Sequence, residues 1–146
     1  GQQKRKKSVR QKLNAMSAEF KNKNVLIVDD SIVRGTTSKE IVQMAKDAGA
    51  NKVFFTSAAP PVRFPHVYGI NMPNKDELIA HDRTISEIAD QLEIDNLVYQ
   101  SVKNLRKSII SDSPIQDLEM SCFTGVYVTG TVNQEYLNWV ENEYKS

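Results

Sequence analysis

At 146 residues, with 40% hydrophobic and 25% charged residues, the chain is long enough for one domain with its own core and too ordinary in composition for a disordered or fibrous protein. No apolar run reaches the roughly 20 residues that span a bilayer, no signal-peptide pattern opens the chain, and the lone Cys122 excludes an internal disulfide; a cytoplasmic location and no membrane partner are expected. The net charge of +1 hides an asymmetry, because residues 1–24 carry eight Lys or Arg against Glu19 alone, for +7, while the rest carries eleven basic and seventeen acidic residues, for −6.

Residues 1–23 form a basic arm with few apolar anchors, of which Leu13, Met16 and Phe20 make one weak helical stripe. The chain begins at Gly1, without an initiator Met and directly in polar sequence, as expected of a piece of a longer protein. From Asn24 the pattern changes. Residues 25–28 are continuously apolar, which predicts a parallel strand covered on both faces. Thr37 and Glu40 have capping-box spacing, and Ile41, Val42, Met44, Ala45 and Ala48 then share a helical face that Gly49 ends. Lys52–Ser57 is a second strand. The strand–helix–strand order, with its right-handed crossover, makes the strands parallel.

Residues 58–73 are a long irregular connection holding four of the five prolines. Asn74/Glu77 and Thr84/Glu87 each have cap-like spacing, predicting helices over 75–80 and Ile85–Leu92. Residues 97–99 read as a short strand, and Val102–Ile110 as a helix with Val102, Leu105 and Ile109 inward. Residues 123–128 read as a last strand or extended segment. Asn133 is placed to cap a terminal helix whose Tyr136, Leu137, Val140 and Tyr144 form an apolar stripe. The class is α/β.

The chemistry concentrates at residues 25–38. Asp29 and Asp30 follow the first strand directly, at the carboxyl end where α/β sheets carry functional groups. Adjacent carboxylates repel one another unless a cation or several hydroxyl donors meet them. A ribose diol or Mg²⁺ does so, since Mg²⁺ favours oxygen ligands. Ser31, Arg34, Thr36 and Thr37 surround Gly35 just before a helix, where glycine allows close backbone approach and the helix start attracts an anion. Arg34 either neutralises a phosphate or faces solvent. A strand ending in Val-Asp-Asp-Ser also opens the receiver domains of two-component signalling, which need a further Asp at the end of a later strand. Lys52–Ser57 runs into Ala-Ala-Pro without one, and that reading fails.

Residues 25–37 resemble the phosphoribosyl-pyrophosphate signature of the type I phosphoribosyltransferases: four apolar residues, two acids, then Ser-Ile-Val-Arg-Gly-Thr-Thr. Residues 8–14, 57–73, 77–80 and 121–127 narrow the resemblance to the C-terminal part of the amidophosphoribosyltransferases, and it covers essentially the whole chain. It implies a partial type I phosphoribosyltransferase fold, a parallel sheet with flanking helices plus C-terminal helices. Residues 24–128 would belong to the transferase domain and 129–146 to a terminal helix. Asp29 and Asp30 would serve ribose hydroxyls and Mg²⁺, and residues 31–37 (Ser31, Arg34, Gly35, Thr36 and Thr37 among them) the 5′-phosphate. The arm would be part of a loop that closes over substrate, with Lys12 as its phosphate contact.

In that family a glutaminase domain supplies ammonia, which displaces pyrophosphate from phosphoribosyl pyrophosphate to give phosphoribosylamine. Neither that domain nor the pyrophosphate loop lies in this sequence, so the chain alone is expected to be inactive. The resemblance further implies purine nucleotides as feedback inhibitors and a homo-oligomer, a tetramer or dimer. Some members hold an iron–sulfur cluster near the counterparts of His66 and Cys122. Here Cys122 is the single thiol, with Glu119 where another ligand would fall, and one thiolate cannot hold a four-ligand cluster. No cluster is expected, and His66 and His81 read as polar or packing residues. The run at residues 4–7 also suits a solvated tail or a nucleic-acid arm, but no aromatics interleave it and no nucleic-acid partner is expected. A phosphoribosyl-pyrophosphate-sensing purine regulator and a salvage phosphoribosyltransferase are the competing functions. The first would lack the segments after residue 57, and the second needs a nucleobase hood.

Overall fold

The computed structural model describes residues 17–70 and 74–143. The expected basic arm lies mostly outside them, Lys12 included, as does Tyr144. In chain order come α1 (Ser17–Phe20), β1 (Asn24–Asp29), α2 (Thr36–Asp47), β2 (Lys52–Ser57), a 3₁₀ turn at Lys75–Glu77, α3 (Ile85–Leu92), β3 (Asn96–Tyr99), α4 (Val102–Ile110), α5 (Ser121–Thr124) and α6 (Gln134–Glu143).

The three strands form one parallel sheet in the order β1-β2-β3. Two right-handed crossovers that advance in the same direction put their helices on the same face. Val53, Phe55 and Leu97 accordingly meet Val42 and Ala45 of α2 and Ile88 and Leu92 of α3, in one core cluster with Ile32, Ile79 and Ala80. The opposite face is bare. Val28, Thr56 and Val98 share a row across the sheet, and Leu26, Val28 and Val98 are 60%, 70% and 55% exposed. The expectation that β1 is covered on both faces therefore fails within the described residues, because the two crossovers supply helices to one face only.

Local chemistry decides the remaining boundaries. Thr84 caps α3 as its spacing predicts: Glu87 N–H donates to Thr84 Oγ1 at 3.2 Å, and Thr84 N–H donates to Glu87 Oε2 at 2.7 Å. The Thr84 N–H and hydroxyl hold the Glu87 carboxyl below its ordinary range. Ser101 Oγ accepts from Asn104 N–H at the start of α4, and Asn133 Oδ1 accepts from Tyr136 N–H at the start of α6. Thr37 is not a cap, since α2 begins at Thr36 behind Gly35. The helix expected over 75–80 is a single 3₁₀ turn, after which the chain extends at Leu78. Leu78, Ile79 and Ala80 are all buried, and three consecutive inward side chains do not suit one stripe of a surface helix.

Residues 123–128 form no strand. Gly125 ends α5 in the left-handed region, with Phe64 against the position a Cβ would take. Val126 and Val128 lie exposed beyond it. Ile109, expected inward, is 38% exposed, and so are Tyr136 (41%) and Trp139 (57%) on α6. The buried residue of α6 is Glu141, paired with Lys75 at 3.3 Å.

Candidate functional site

Asp29 is the last residue of β1, and Asp30 follows it at the carboxyl edge of the sheet. Their backbone carbonyls accept from Ala58 and Ala59 N–H at 2.9 and 2.8 Å, which ties the acidic turn to the end of β2. Asp30 N–H donates to Asp29 Oδ1, and Ser31 Oγ donates to Asp30 Oδ1, both at 2.9 Å. Each carboxylate thus has one oxygen engaged locally, and no described residue bonds the other. Neither has a salt bridge among the described residues, and Asp30 is exposed.

The loop then dips into the core at Ile32, 1% exposed, and climbs to Gly35. Gly35 is buried with φ +77°, and an added Cβ would overlap Ile79 Cδ1. Its carbonyl accepts the first helical bond, from Lys39 N–H at 2.8 Å. Having no side chain, Gly35 makes no capping bond, so the N–H groups of Thr36, Thr37 and Ser38 reach the helix start without one. Thr36 and Thr37 are exposed, and Ser38 is buried beneath them. Backbone donors, the positive end of the helix dipole and two hydroxyls therefore converge where an oxyanion would sit.

Arg34 does not simply face solvent. Its Nε donates to Glu77 Oε2 at 2.6 Å, with both side chains about half exposed. Behind the loop, Arg34, Gly35, Thr36 and Lys39 line a cleft of about 350 Å³ with residues 90–93. Lys39 is bridged across it to Glu93 at 3.0 Å, a contact that holds the Glu93 carboxyl below its ordinary range. Of the predicted site residues Arg34, Gly35 and Thr36 line this cleft, while Asp29, Asp30, Ser31 and Thr37 do not. Lys12 lies outside the described residues.

Sequence reasoning missed Glu77 and Ile79, which approach the loop from 43 and more residues away. Their signal was present in residues 77–80, which stood out by resemblance without a role. It also missed a polar clasp. His66 Nε2 lies 3.1 Å from Glu119 Oε2, Ser121 N–H donates to Glu119 Oε1 at 2.7 Å, and Cys122 O accepts from Arg63 and Phe64 N–H. Burial and the Glu119 charge both push the Cys122 thiol up. His81 is a packing residue, its Nδ1 2.9 Å from Arg63 O. A second cleft of about 360 Å³, lined by His66, Ile70, Tyr136 and Trp139 among others, shares no residue with the acidic loop. Among the described residues no three His, Cys, Asp or Glu side chains are grouped to hold a metal ion, and no helix is long and apolar enough to cross a membrane.

No protein-family model matches the chain. The amidophosphoribosyltransferase of Haemophilus influenzae is 53% identical to it over 144 residues, 98% of this chain and 28% of that protein. Among solved structures, the glutamine phosphoribosylpyrophosphate amidotransferase of B. subtilis, complexed with ADP and GMP, aligns with a TM-score of 0.69 at 38% identity, over 77% of this chain and 25% of that one. A structure of the allosteric regulatory enzyme of purine biosynthesis aligns with a TM-score of 0.73 at 37% identity, over 86% and 27%. The α/β fold with its acidic strand end and glycine-led helix is that of a phosphoribosyltransferase. More narrowly, the chain aligns over nearly its whole length with part of the amidophosphoribosyltransferases, spanning 28% of the length of the Haemophilus relative.

Proposed function

We propose that the chain is the ribose-5-phosphate half of the transferase site in a glutamine-dependent enzyme of purine synthesis. That enzyme converts phosphoribosyl pyrophosphate and glutamine, as ammonia donor, into phosphoribosylamine, glutamate and pyrophosphate. The carrying observation is the run from Asp29 to Thr37, two carboxylates at a strand end followed by an uncapped helix start, in a chain 53% identical to a named amidophosphoribosyltransferase. The 5′-phosphate is seated by the N–H groups of Thr36, Thr37 and Ser38, the two threonine hydroxyls and Arg34. The ribose hydroxyls meet the free oxygens of Asp29 and Asp30. The resemblance adds Lys12, outside the described residues, as a further phosphate contact.

The donor set fits Mg²⁺, which takes carboxylate oxygens but draws much of its shell from water and substrate. Two adjacent acids with no third acid, His or Cys grouped beside them among the described residues suit such a partial shell. Asp29 and Asp30 would hold Mg²⁺, which would supply positive charge for the leaving pyrophosphate. The chain's own residues hold the ribose and its phosphate still while the leaving group departs, so their contribution is positioning and electrostatics. No iron–sulfur cluster is part of this reading, because Cys122 is the single thiol of the sequence and one thiolate cannot hold a four-ligand cluster.

Purine nucleotides act as inhibitors, in keeping with the ADP and GMP of the B. subtilis structure. The complete protein is a cytoplasmic homo-oligomer that adds a glutaminase domain and a pyrophosphate loop to this segment. Substituting Asp29→Asn or Asp30→Asn in the complete protein is expected to lower Mg²⁺-dependent kcat/KM for phosphoribosyl pyrophosphate by about a hundredfold, or ~2.7 kcal/mol. Unchanged kinetics in both variants would remove the site. Residues 1–146 alone are expected to form no phosphoribosylamine from ammonia, and measurable product would overturn the half-site reading.

A further inference from the structure

The segment Glu77–Ala80, spatially beneath the phosphate loop, has been given no role so far. It touches the loop at three levels. Glu77 Oε2 accepts from Arg34 Nε at 2.6 Å, Ile79 N–H donates to Val33 O at 2.9 Å, and the Ile79 side chain fills the space under Gly35. The segment is itself pinned from behind. Arg83 Nη1 donates to Ile79 O at 3.0 Å, and Arg63 Nη1 donates to Ala80 O at 2.7 Å and to Arg83 O at 2.8 Å. Leu78 and Ala80 are fully buried, so the floor has little freedom to move. Glu77 is the one member of this floor that reaches up to a charged group of the loop.

Arg34 is held through Nε, and no described residue engages its two terminal amino groups. A guanidinium held on its Nε side keeps its Nη donors for a second anion, and two donors in a rigid fork match a phosphate. The pair is half exposed on both sides, where an ion pair adds little to folding stability. Its effect should therefore appear in the direction of Arg34 and not in the stability of the domain.

We propose that Glu77 is the positioning residue of the phosphate loop. It holds Arg34 by Nε, over the floor built by Leu78–Ala80, so that the guanidinium presents its free edge to the substrate's phosphate. This inference deepens the phosphoribosyl-pyrophosphate reading and rests on it.

The test uses the complete protein and reads kcat, KM for phosphoribosyl pyrophosphate and the thermal midpoint for Glu77→Ala, Glu77→Gln, Arg34→Ala and the Arg34→Ala/Glu77→Ala pair. Glu77→Ala is expected to raise KM about tenfold, the scale of part of one charge-assisted hydrogen bond, with kcat within about twofold and an unchanged midpoint. Glu77→Gln retains an acceptor for Nε and is expected to recover part of the loss. In the Arg34→Ala background, Glu77→Ala is expected to change KM no further, since Glu77 acts through Arg34. An unchanged KM in Glu77→Ala overturns the proposal, as does a tenfold loss that persists without Arg34. Asp29→Asn, run alongside, separates the two levels: if it abolishes substrate use while Glu77→Ala is silent, the role of Glu77 alone fails. If Asp29→Asn and Asp30→Asn are both silent, the site reading fails and takes this one with it.

Discussion

Gly35→Ala is the substitution that most directly tests how the phosphate loop is shaped. Two separate penalties apply. Gly35 sits at φ +77°, and an L-residue in the left-handed region loses about 1–2 kcal/mol. The new methyl also overlaps Ile79 Cδ1, and Ile79 is 6% exposed within the core cluster. Its side chain must find another rotamer in a packed environment, an overpacking penalty of about 1–3 kcal/mol. Together the loop and first turn of α2 should lose about 2–5 kcal/mol of local stability. Hydrogen exchange on the complete protein, followed in peptides covering residues 31–42, reads that loss directly.

The two penalties separate in the Ile79→Ala background, where the overlap disappears and only the backbone term of about 1–2 kcal/mol remains. The coupling between the two sites should therefore be about 1–3 kcal/mol. Equal losses in both backgrounds would refute the overlap. A loss below about 0.5 kcal/mol in the Ile79→Ala background would refute the left-handed turn.

Three further outcomes follow from burial and capping. Tyr99 Oη is buried without a hydrogen-bond partner among the described residues, so Tyr99→Phe should leave unfolding free energy unchanged or raise it by about 1 kcal/mol, and a loss of that size would show a partner for the hydroxyl. Thr84→Ala removes the cap of α3 and should lower stability by about 1 kcal/mol, read as faster exchange at the Glu87 and Ile88 amides. Burial holds the hydroxyls of Tyr99 and Tyr127 protonated, with pKa values pushed up to about 12 from an ordinary 10. A folded pKa above the unfolded one contributes stability below pH ~10 that is lost as pH rises toward about 12. Absorbance titration near 295 nm should show two tyrosines ionising late, together with unfolding. All five tyrosines of the chain ionising at the ordinary pKa in the folded protein would contradict the burial.

Much of the acidic loop was legible because its chemistry is local. Two acids at a strand end, a glycine and a helix start need no distant information, and the structure keeps them within one short turn. Caps whose side chains face solvent were equally readable, as Thr84 and Asn133 show. The failures share a physical cause. Thr37 and Asn74 have the right residue types for caps, but tertiary packing under Gly35 and around Leu78–Ala80 decides where those helices begin and end. Residues 123–128 carry strand-like composition, yet the turn that Gly125 makes against Phe64 removes them from the sheet. Glu77 lay beyond reach because a partner 43 residues away is set by topology and not by spacing.

The bare face and free edge of β1 carry a consequence for the chain in isolation. Among the described residues β1 pairs only with β2, so no described strand covers its other edge, beside exposed Leu26 and Val28. Such an edge invites a second copy. Its charges bias how that copy arrives, with Lys23 at one end of the strand and Asp29 and Asp30 at the other. In-register parallel addition would stack like charges on like. Antiparallel pairing about Leu26 and Ile27 sets Lys23 opposite Asp30 of the other copy. The strand-end charges therefore oppose in-register stacking of copies along this edge and favour antiparallel approach.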